Sequence, residues 1–218
     1  MINKDYILRL AEQIGRTLAI LLRLREYNKQ EEALIAIDEL FLKYLGLTSR
    51  LINSLSEEML LQTFSPMGTL NIHSCLWTAV LLKAEGDIYE DEENHTESYY
   101  RYLKALYLLL ASLLHDPSVA EADLSINVDE LLNSLEEYEL PHSLKQQLFA
   151  YYEHMGHYAL AEDTLFDLLE TNQHDPGLIE HGEAFYRRLL LKSNADLIAG
   201  NFSREEVEEG LQQLKGME

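Results

Sequence analysis

The sequence predicts an all-α fold built from antiparallel helical hairpins, and three observations predict it. Leu, Ala, Glu, Lys and Gln fill most windows, while the 10 Gly and 4 Pro of the 218 residues lie mainly between apolar-periodic segments. Runs of β-branched residues, from which strands are built, are absent. The stretch Ser143–Glu170 reads as helix, turn, helix. Leu144, Leu148 and Tyr152 share one face, Gly156 interrupts, and Tyr158, Ala161, Leu165 and Leu168 form a second apolar face.

The remaining elements follow in order. Helix one is expected over residues 3–27, with Tyr6, Leu10, Ile14, Leu18, Leu21 and Leu22 inward, Asn3 as cap and Asp5 in the first turn. Arg9, Arg16 and Arg23 recur at seven-residue spacing and make a basic ridge on that helix. Such a ridge is a solvated face, a set of ion pairs with a neighbouring helix, or a partner surface. Helix two spans 31–45, with Gly46 suited to the left-handed C-cap. Residues 48–65 carry a short helix with a restart at Ser54 or Ser56, and 64–68 are a loop. Helix three spans 70–90 with Trp77, Leu81, Ala84 and Ile88 on one face. After the acidic turn 90–94, Tyr99, Tyr102, Leu103, Leu106, Leu110 and Leu113 line helix four, which Asp116-Pro117 ends. Its run from Leu106 to Leu114 is too short to span a bilayer and reads as a helix buried on most sides.

Asn127 with Glu130 signals a capping box for a helix to Tyr138, and Pro141 suits the first turn of the next helix. Asp175-Pro176 starts another helix, with Leu178, Phe185, Leu189 and Leu197 as its apolar members. Ser203 with Glu206 caps a short polar last helix, expected to close the array or fray. The chain is expected to be a single all-helical domain, 1–218. Its parts are N-terminal helices 1–65, a first repeat-like hairpin 70–116, a second repeat-like region 127–171, and C-terminal helices 175–218.

Gly86, Tyr89, Ser98, Tyr102 and Ala105 form one set of spaced small and aromatic residues. Phe149, Tyr152, Ala161, Leu165 and Leu168 form another. Small residues let two helices approach closely, and large ones fill the groove between successive hairpins. Both sets resemble parts of the tetratricopeptide pattern. Phe149 stands where that pattern prefers a small residue, Ser98 where it prefers alanine, and no strict period links the two. The resemblance implies hairpins stacked as a short right-handed tetratricopeptide-like array. The N-terminal MINKDYILRLAEQIGRTLA also resembles the start of an uncharacterised family of bacterial cytosolic helical proteins, which brings no catalytic residues with it.

The formal net charge is -21, unevenly spread. Residues 1–50 hold eight Lys/Arg against seven Asp/Glu, a net of +1, and residues 51–218 hold nine against 31, a net of -22. That field disfavours nucleic acid and anionic membranes and suits a basic partner. Cys75 is the sole cysteine, so no internal disulfide forms, and the acidic N-terminus does not read as a signal peptide. A cytoplasmic location is the expectation.

No catalytic signature is present. His154 and His157 lie three apart, but two ligands rarely hold a metal and Gly156 breaks the helix between them. Neither a glycine-rich phosphate loop nor a nucleophile elbow occurs, so no catalytic residue, cofactor or metal is expected. Recognition is better served by the thirteen tyrosines, which bury a ring while presenting a hydroxyl. Tyr102 and Tyr152 share faces with leucines and are expected to pack, which leaves Tyr100 and Tyr151 outside. The expected function is a non-catalytic scaffold for a protein or peptide, with Arg9, Arg16, Arg23, Tyr100 and Tyr151 as candidate contacts. Two alternatives stand beside it. One is a self-associating homo-oligomer pairing through helix one. The other is a helical enzyme with a scattered site such as His73 with Glu85.

Overall fold

The computed structural model describes residues 4–171 and 176–216, and the fold is all-α, with twelve α-helices among them. The chain forms two compact units, Met1–Glu139 and Leu140–Glu218. The Asn3 and Asp175 caps expected from sequence lie outside the described residues.

The first unit is organised around α5 (Ile72–Asp91) and α6 (His95–His115), which pack along their lengths. Both are buried on most sides: Cys75 to Leu82 and Arg101 to Leu110 are continuously buried, the latter taking in the start of the leucine-rich run. α1 (Lys4–Glu26) and α2 (Gln30–Leu45) lie against each other and against α5. The short helices α3 (Ser49–Ser54) and α4 (Glu57–Thr63) follow, each started by a hydroxyl cap, from Thr48 and Ser56. α7 (Val128–Ser134) packs on α6.

Local chemistry sets the ends of these helices. Gly46 takes the left-handed conformation at φ 69° and its N–H donates to the Leu42 carbonyl, closing α2. Asn94 and Asn127 each accept a backbone N–H at the starts of α6 and α7. Between α5 and α6 the backbones come close at Gly86, where a Cβ would sit 2.6 Å from the Tyr102 ring. A side chain larger than hydrogen at Gly86 would therefore push the two helices apart or displace that ring.

Two expectations for this unit change. Tyr6 and Leu22 are exposed, whereas Ile7, Leu10, Ala11, Ile14 and Leu21 form the buried stripe of α1. Contact with both α2 and α5 rotates that stripe away from Tyr6 and Leu22. α7 also ends at Ser134 and does not reach Tyr138. The Leu135 N–H bonds to the Leu132 carbonyl at 3.0 Å and the Tyr138 N–H to the Leu135 carbonyl at 2.9 Å, tightening the chain into turns.

The second unit begins with the hairpin read most clearly from sequence. α8 (His142–Met155) ends at Gly156, φ 79°, and α9 (Tyr158–Thr171) returns along it. Pro141 is the N-cap of α8 rather than part of its first turn; its carbonyl accepts the N–H groups of Leu144 and Lys145. α10 (Pro176–Leu190) ends before Leu197, which belongs to a separate helix, α11 (Asn194–Ala199), with its own Ser193–Asp196 capping box. The Arg204 guanidinium spans the break, donating to the Leu190 and Lys192 carbonyls at 3.0 and 2.6 Å.

α12 (Arg204–Lys215) starts at the expected Ser203–Glu206 box but does not simply cap an array. It buries Val207, Gly210 and Leu214 and packs along α10. Gly210 faces the Tyr186 ring, and Leu214 faces Gly182, so each helix offers a glycine to a large side chain of the other. The core of this unit joins Phe149, Tyr158, Leu165, Phe185, Tyr186 and Leu214.

Candidate functional site

Three places in the first unit gather polar or aromatic groups. The first is buried. Glu85 of α5 is 2% exposed, with Arg101 at 8% and Lys104 at 5% on α6. The Glu85 carboxylate accepts from the Ser49 hydroxyl, from Asn53 Nδ2 at 3.0 Å and from Arg101 Nε at 3.4 Å. Arg101 also pairs with Glu97 and lies over the Tyr89 ring at 4.6 Å. Lys104 Nζ donates to the Asn53 carbonyl at 2.7 Å, and burial pulls its ammonium below the usual lysine range. These bonds tie α3 to α5 and α6. A buried charge set of this kind holds only when its members pair with one another.

The second place joins the C-terminal ends of α1 and α5. Asp87 receives the Tyr102 hydroxyl at 3.0 Å and Lys83 at 3.0 Å, with Arg25 at 3.4 Å. Arg25 also pairs with Asp91, a hydrogen bond that holds the Asp91 carboxyl below the usual carboxylate range. Lys83 reaches Glu130 of α7 at 2.6 Å. A cavity of about 90 Å³ lies beside them, walled by Leu18, Leu21, Leu22 and Ile88. Its two cations, Arg25 and Lys83, are already paired with Asp87, Asp91 and Glu130.

The third place is on the surface. Tyr99 of α6 meets two other rings, Tyr100 edge-on at 5.1 Å and Tyr138 tilted at 4.5 Å between centroids. Tyr100 is 49% exposed and Tyr138 38%, while the inner ring is half-buried. Burial raises the Tyr99 phenol above its ordinary value, with Tyr100 and Glu57 adding to the rise. Glu57 on α4 lies near Tyr99 in space, and the exposed Glu136 and Glu137 directly precede Tyr138 in the chain. Rings with open faces beside carboxylates form a surface for a cationic group.

The residues singled out from sequence fall in three locations. Arg9, Arg16 and Arg23 are all exposed on α1; Arg16 meets Glu12 at 3.5 Å, and Arg23 sits 6.0 Å from the Tyr27 ring. Tyr100 joins the three-ring patch. Tyr151 is half-buried in the second unit, its ring 5.6 Å from Tyr152. The structure brings Tyr100 together with Tyr138, which sequence reasoning missed. Tyr138 follows α7, and no local periodicity marks a residue brought in by the packing of α7 on α6.

The residues considered for chemistry sit apart. His73 and Glu85 belong to one helix, α5, and twelve residues of helix place roughly 18 Å of axial rise between them. His73 packs near the Tyr6 and Trp77 rings, and burial lowers its pKa. His154 lies in the last turn of α8, and His157, past Gly156, meets Tyr152 edge-on at 6.5 Å. Burial pushes the Cys75 thiol up to about 12, well away from the thiolate needed for reaction. Among the described residues no group of three or more His, Cys, Asp or Glu is placed to hold a metal ion. No helix among them is long and apolar enough to cross a membrane.

The described residues define an all-helical protein whose first unit carries a buried charge network and a surface patch of Tyr99, Tyr100 and Tyr138. The chain belongs to the family described as "Family of unknown function (DUF6483)", which it matches over residues 1–218. Neither the curated proteins nor the solved structures contain a match to it.

Proposed function

We propose that this protein is a non-catalytic scaffold that binds a cationic segment of a protein partner, in a cytoplasmic setting. The observation that carries the reading is the Tyr99, Tyr100 and Tyr138 patch, two of whose rings are substantially exposed, with Glu57 near Tyr99 and Glu136 and Glu137 directly preceding Tyr138 in the chain. An Arg or Lys side chain laid on those faces gains cation–π attraction from the rings and pairs with the carboxylates. The net of -22 over residues 51–218 steers such a segment inward at long range. The α5–α6 and α8–α9 hairpins are read as tetratricopeptide-like units, a reading supported by the contact of Gly86 with Tyr102.

The test is fluorescence anisotropy with a labelled peptide of alternating Arg and Gly, titrated with wild type and with the Tyr100→Ala/Tyr138→Ala double variant. The variant leaves the net charge unchanged, so lost affinity reports the rings and not the field. Two exposed cation–π contacts are worth about 1–2 kcal/mol together, so affinity falls about tenfold. Equal affinity for both proteins refutes the site.

A second reading, self-association, is favoured by a different observation. The outer face of the α1–α2 hairpin leaves large apolar side chains uncovered, among them Ile20 at 64% and Ile35 at 62% exposure.

A further inference from the structure

We propose that the α1–α2 face is a twofold self-association surface on which α1 of one copy lies over α2 of a second copy. This rests on the self-association reading and is independent of the tyrosine patch.

The face has an apolar centre. Between the helices runs an open groove of about 300 Å³ lined by the apolar Ile20, Leu21, Ala36 and Leu40 together with the charged Glu39 and Lys43. Ile20, Ile35 and Leu42 stand exposed along it or beside it. Helical periodicity puts Arg9, Arg16, Ile20, Arg23 and Tyr27 on one arc of α1, and Glu32, Ile35, Glu39 and Leu42 on one arc of α2. One helix of the face is therefore an isoleucine flanked by arginines, and the other is isoleucine and leucine flanked by glutamates.

Those two stripes match in spacing. Arg16 and Arg23 are seven residues apart, as are Glu32 and Glu39. The hydrogen bond from Gln13 to the Tyr44 hydroxyl, 3.2 Å, sets the level of α1 against α2 within the hairpin. By that level Arg16 lies opposite Phe41, and Arg23 opposite Leu34. A twofold axis in the contact plane, parallel to the helices, keeps each residue at its level and exchanges the two helices. Arg16 of one copy then falls within two residues of Glu39 on the other, and Arg23 within two residues of Glu32. Long side chains cover that offset, and the twofold makes four such pairs. The intrachain pairs Arg16–Glu12 and Lys29–Glu32 are solvent-exposed, so re-pairing across a contact gives up little.

Net charge selects this face over others. Two copies at -21 each repel, and most of that charge lies beyond residue 50. Residues 1–50 sum to +1, so the α1–α2 hairpin is where two chains approach with the least like-charge cost.

The test is sedimentation equilibrium of the full chain over about 1 to 100 μM, near the affinities expected of a contact of this kind. Wild type is expected to move from one to two chain masses. Arg16→Glu alone sets Glu against Glu39 twice and weakens association about tenfold or more, as does Glu39→Arg alone. Mixed together, the two variants regain wild-type association, because in the mixed dimer one pair is restored with reversed sign and the other is the native Arg16–Glu39 pair. Fluorescence of the buried Trp77 checks that each variant is folded. A wild type that stays at one chain mass overturns the proposal and the self-association reading with it. A dimer that ignores the charge reversals, or fails to recover on mixing, leaves self-association standing and overturns this face. If Arg16→Glu instead strengthens association, α1 lies over α1 and the proposed arrangement is wrong.

Discussion

Replacing Glu85 by Ala removes the centre of the buried charge network, and its cost can be worked from the structure. The Ser49 hydroxyl, Asn53 Nδ2 and Arg101 Nε lose their acceptor together. Arg101 and Lys104 stay buried, and like charge then faces like charge with one carboxylate fewer between them. Breaking a buried ion pair typically costs ~3–5 kcal/mol. Arg101 keeps Glu97, through the Glu97 carboxylate and its carbonyl at 3.3 Å, so the lower end applies. A loss of about 3 kcal/mol corresponds to a fall of roughly 6–12 °C in the melting midpoint for a chain of this size. Urea titration followed by Trp77 fluorescence measures it, since Trp77 is the single tryptophan and is fully buried in the first unit. Glu85→Gln keeps acceptors and loses less. Glu85→Leu with Arg101→Met removes both charges and recovers at least half of the loss, because an apolar replacement of a buried pair is often neutral. A loss below about 1 kcal/mol for Glu85→Ala refutes the idea that pairing holds these charges in place.

Three further outcomes follow from close contacts and shifted groups. Gly210→Ala places a Cβ 2.4 Å from the Tyr186 ring, whose side chain is fully buried, and destabilises the second unit by about 1–3 kcal/mol in a far-UV circular dichroism melt. Gly156→Ala costs about 1 kcal/mol in the same assay, because an L side chain is strained at φ 79° while its nearest neighbour, the Tyr158 hydroxyl at 3.8 Å, is far enough to add no clash. Glu162, raised above the ordinary glutamate value chiefly by burial, binds more protons folded than unfolded. Its contribution therefore grows as pH falls through the folded value and is lost as pH rises above it. Glu162→Gln, still accepting from the Tyr186 hydroxyl, is expected to raise the neutral-pH urea midpoint and flatten its pH dependence between 4.5 and neutrality; an unchanged profile counts against burial as the cause.

Helix ends were the most legible part of this chain, because caps are local. Ser56, Asn127, Ser203, Gly46 and Gly156 each act within one turn of their own position. Facing was less legible. Apolar periodicity shows that α1 has a stripe, but the arc that is buried depends on two neighbours, and Tyr6 and Leu22 fall outside it. Charged residues hid the burial of Glu85, Arg101 and Lys104, since each looks solvent-exposed until a partner from another helix is known. The polar α12 was similarly misread: its burial rests on two glycines that admit Tyr186 and Leu214, a contact invisible in either helix alone. Of the candidate surface, the arginine ridge and Tyr100 were legible from spacing and position. Tyr138 and the acidic stripe of α2 gained meaning only from neighbours in space.

The two proposed surfaces answer to salt with opposite signs, and the reason is the charge distribution. Binding of a cationic segment to the tyrosine patch draws on attraction from a body of net -22 beyond residue 50. That attraction acts over many ångströms and weakens as the Debye length falls from about 10 Å at 0.1 M salt to about 3 Å at 1 M. Self-association must bring two bodies of -21 together, so the same screening removes a repulsion. The Arg16–Glu39 and Arg23–Glu32 pairs of the dimer act at contact distance around apolar side chains, where salt weakens them less than it weakens the long-range field. Added salt should therefore release the peptide while leaving the dimer unchanged or tighter. Were one acidic surface responsible for both events, they would move together, so a single salt series on wild type separates a two-surface scaffold from a molecule with one.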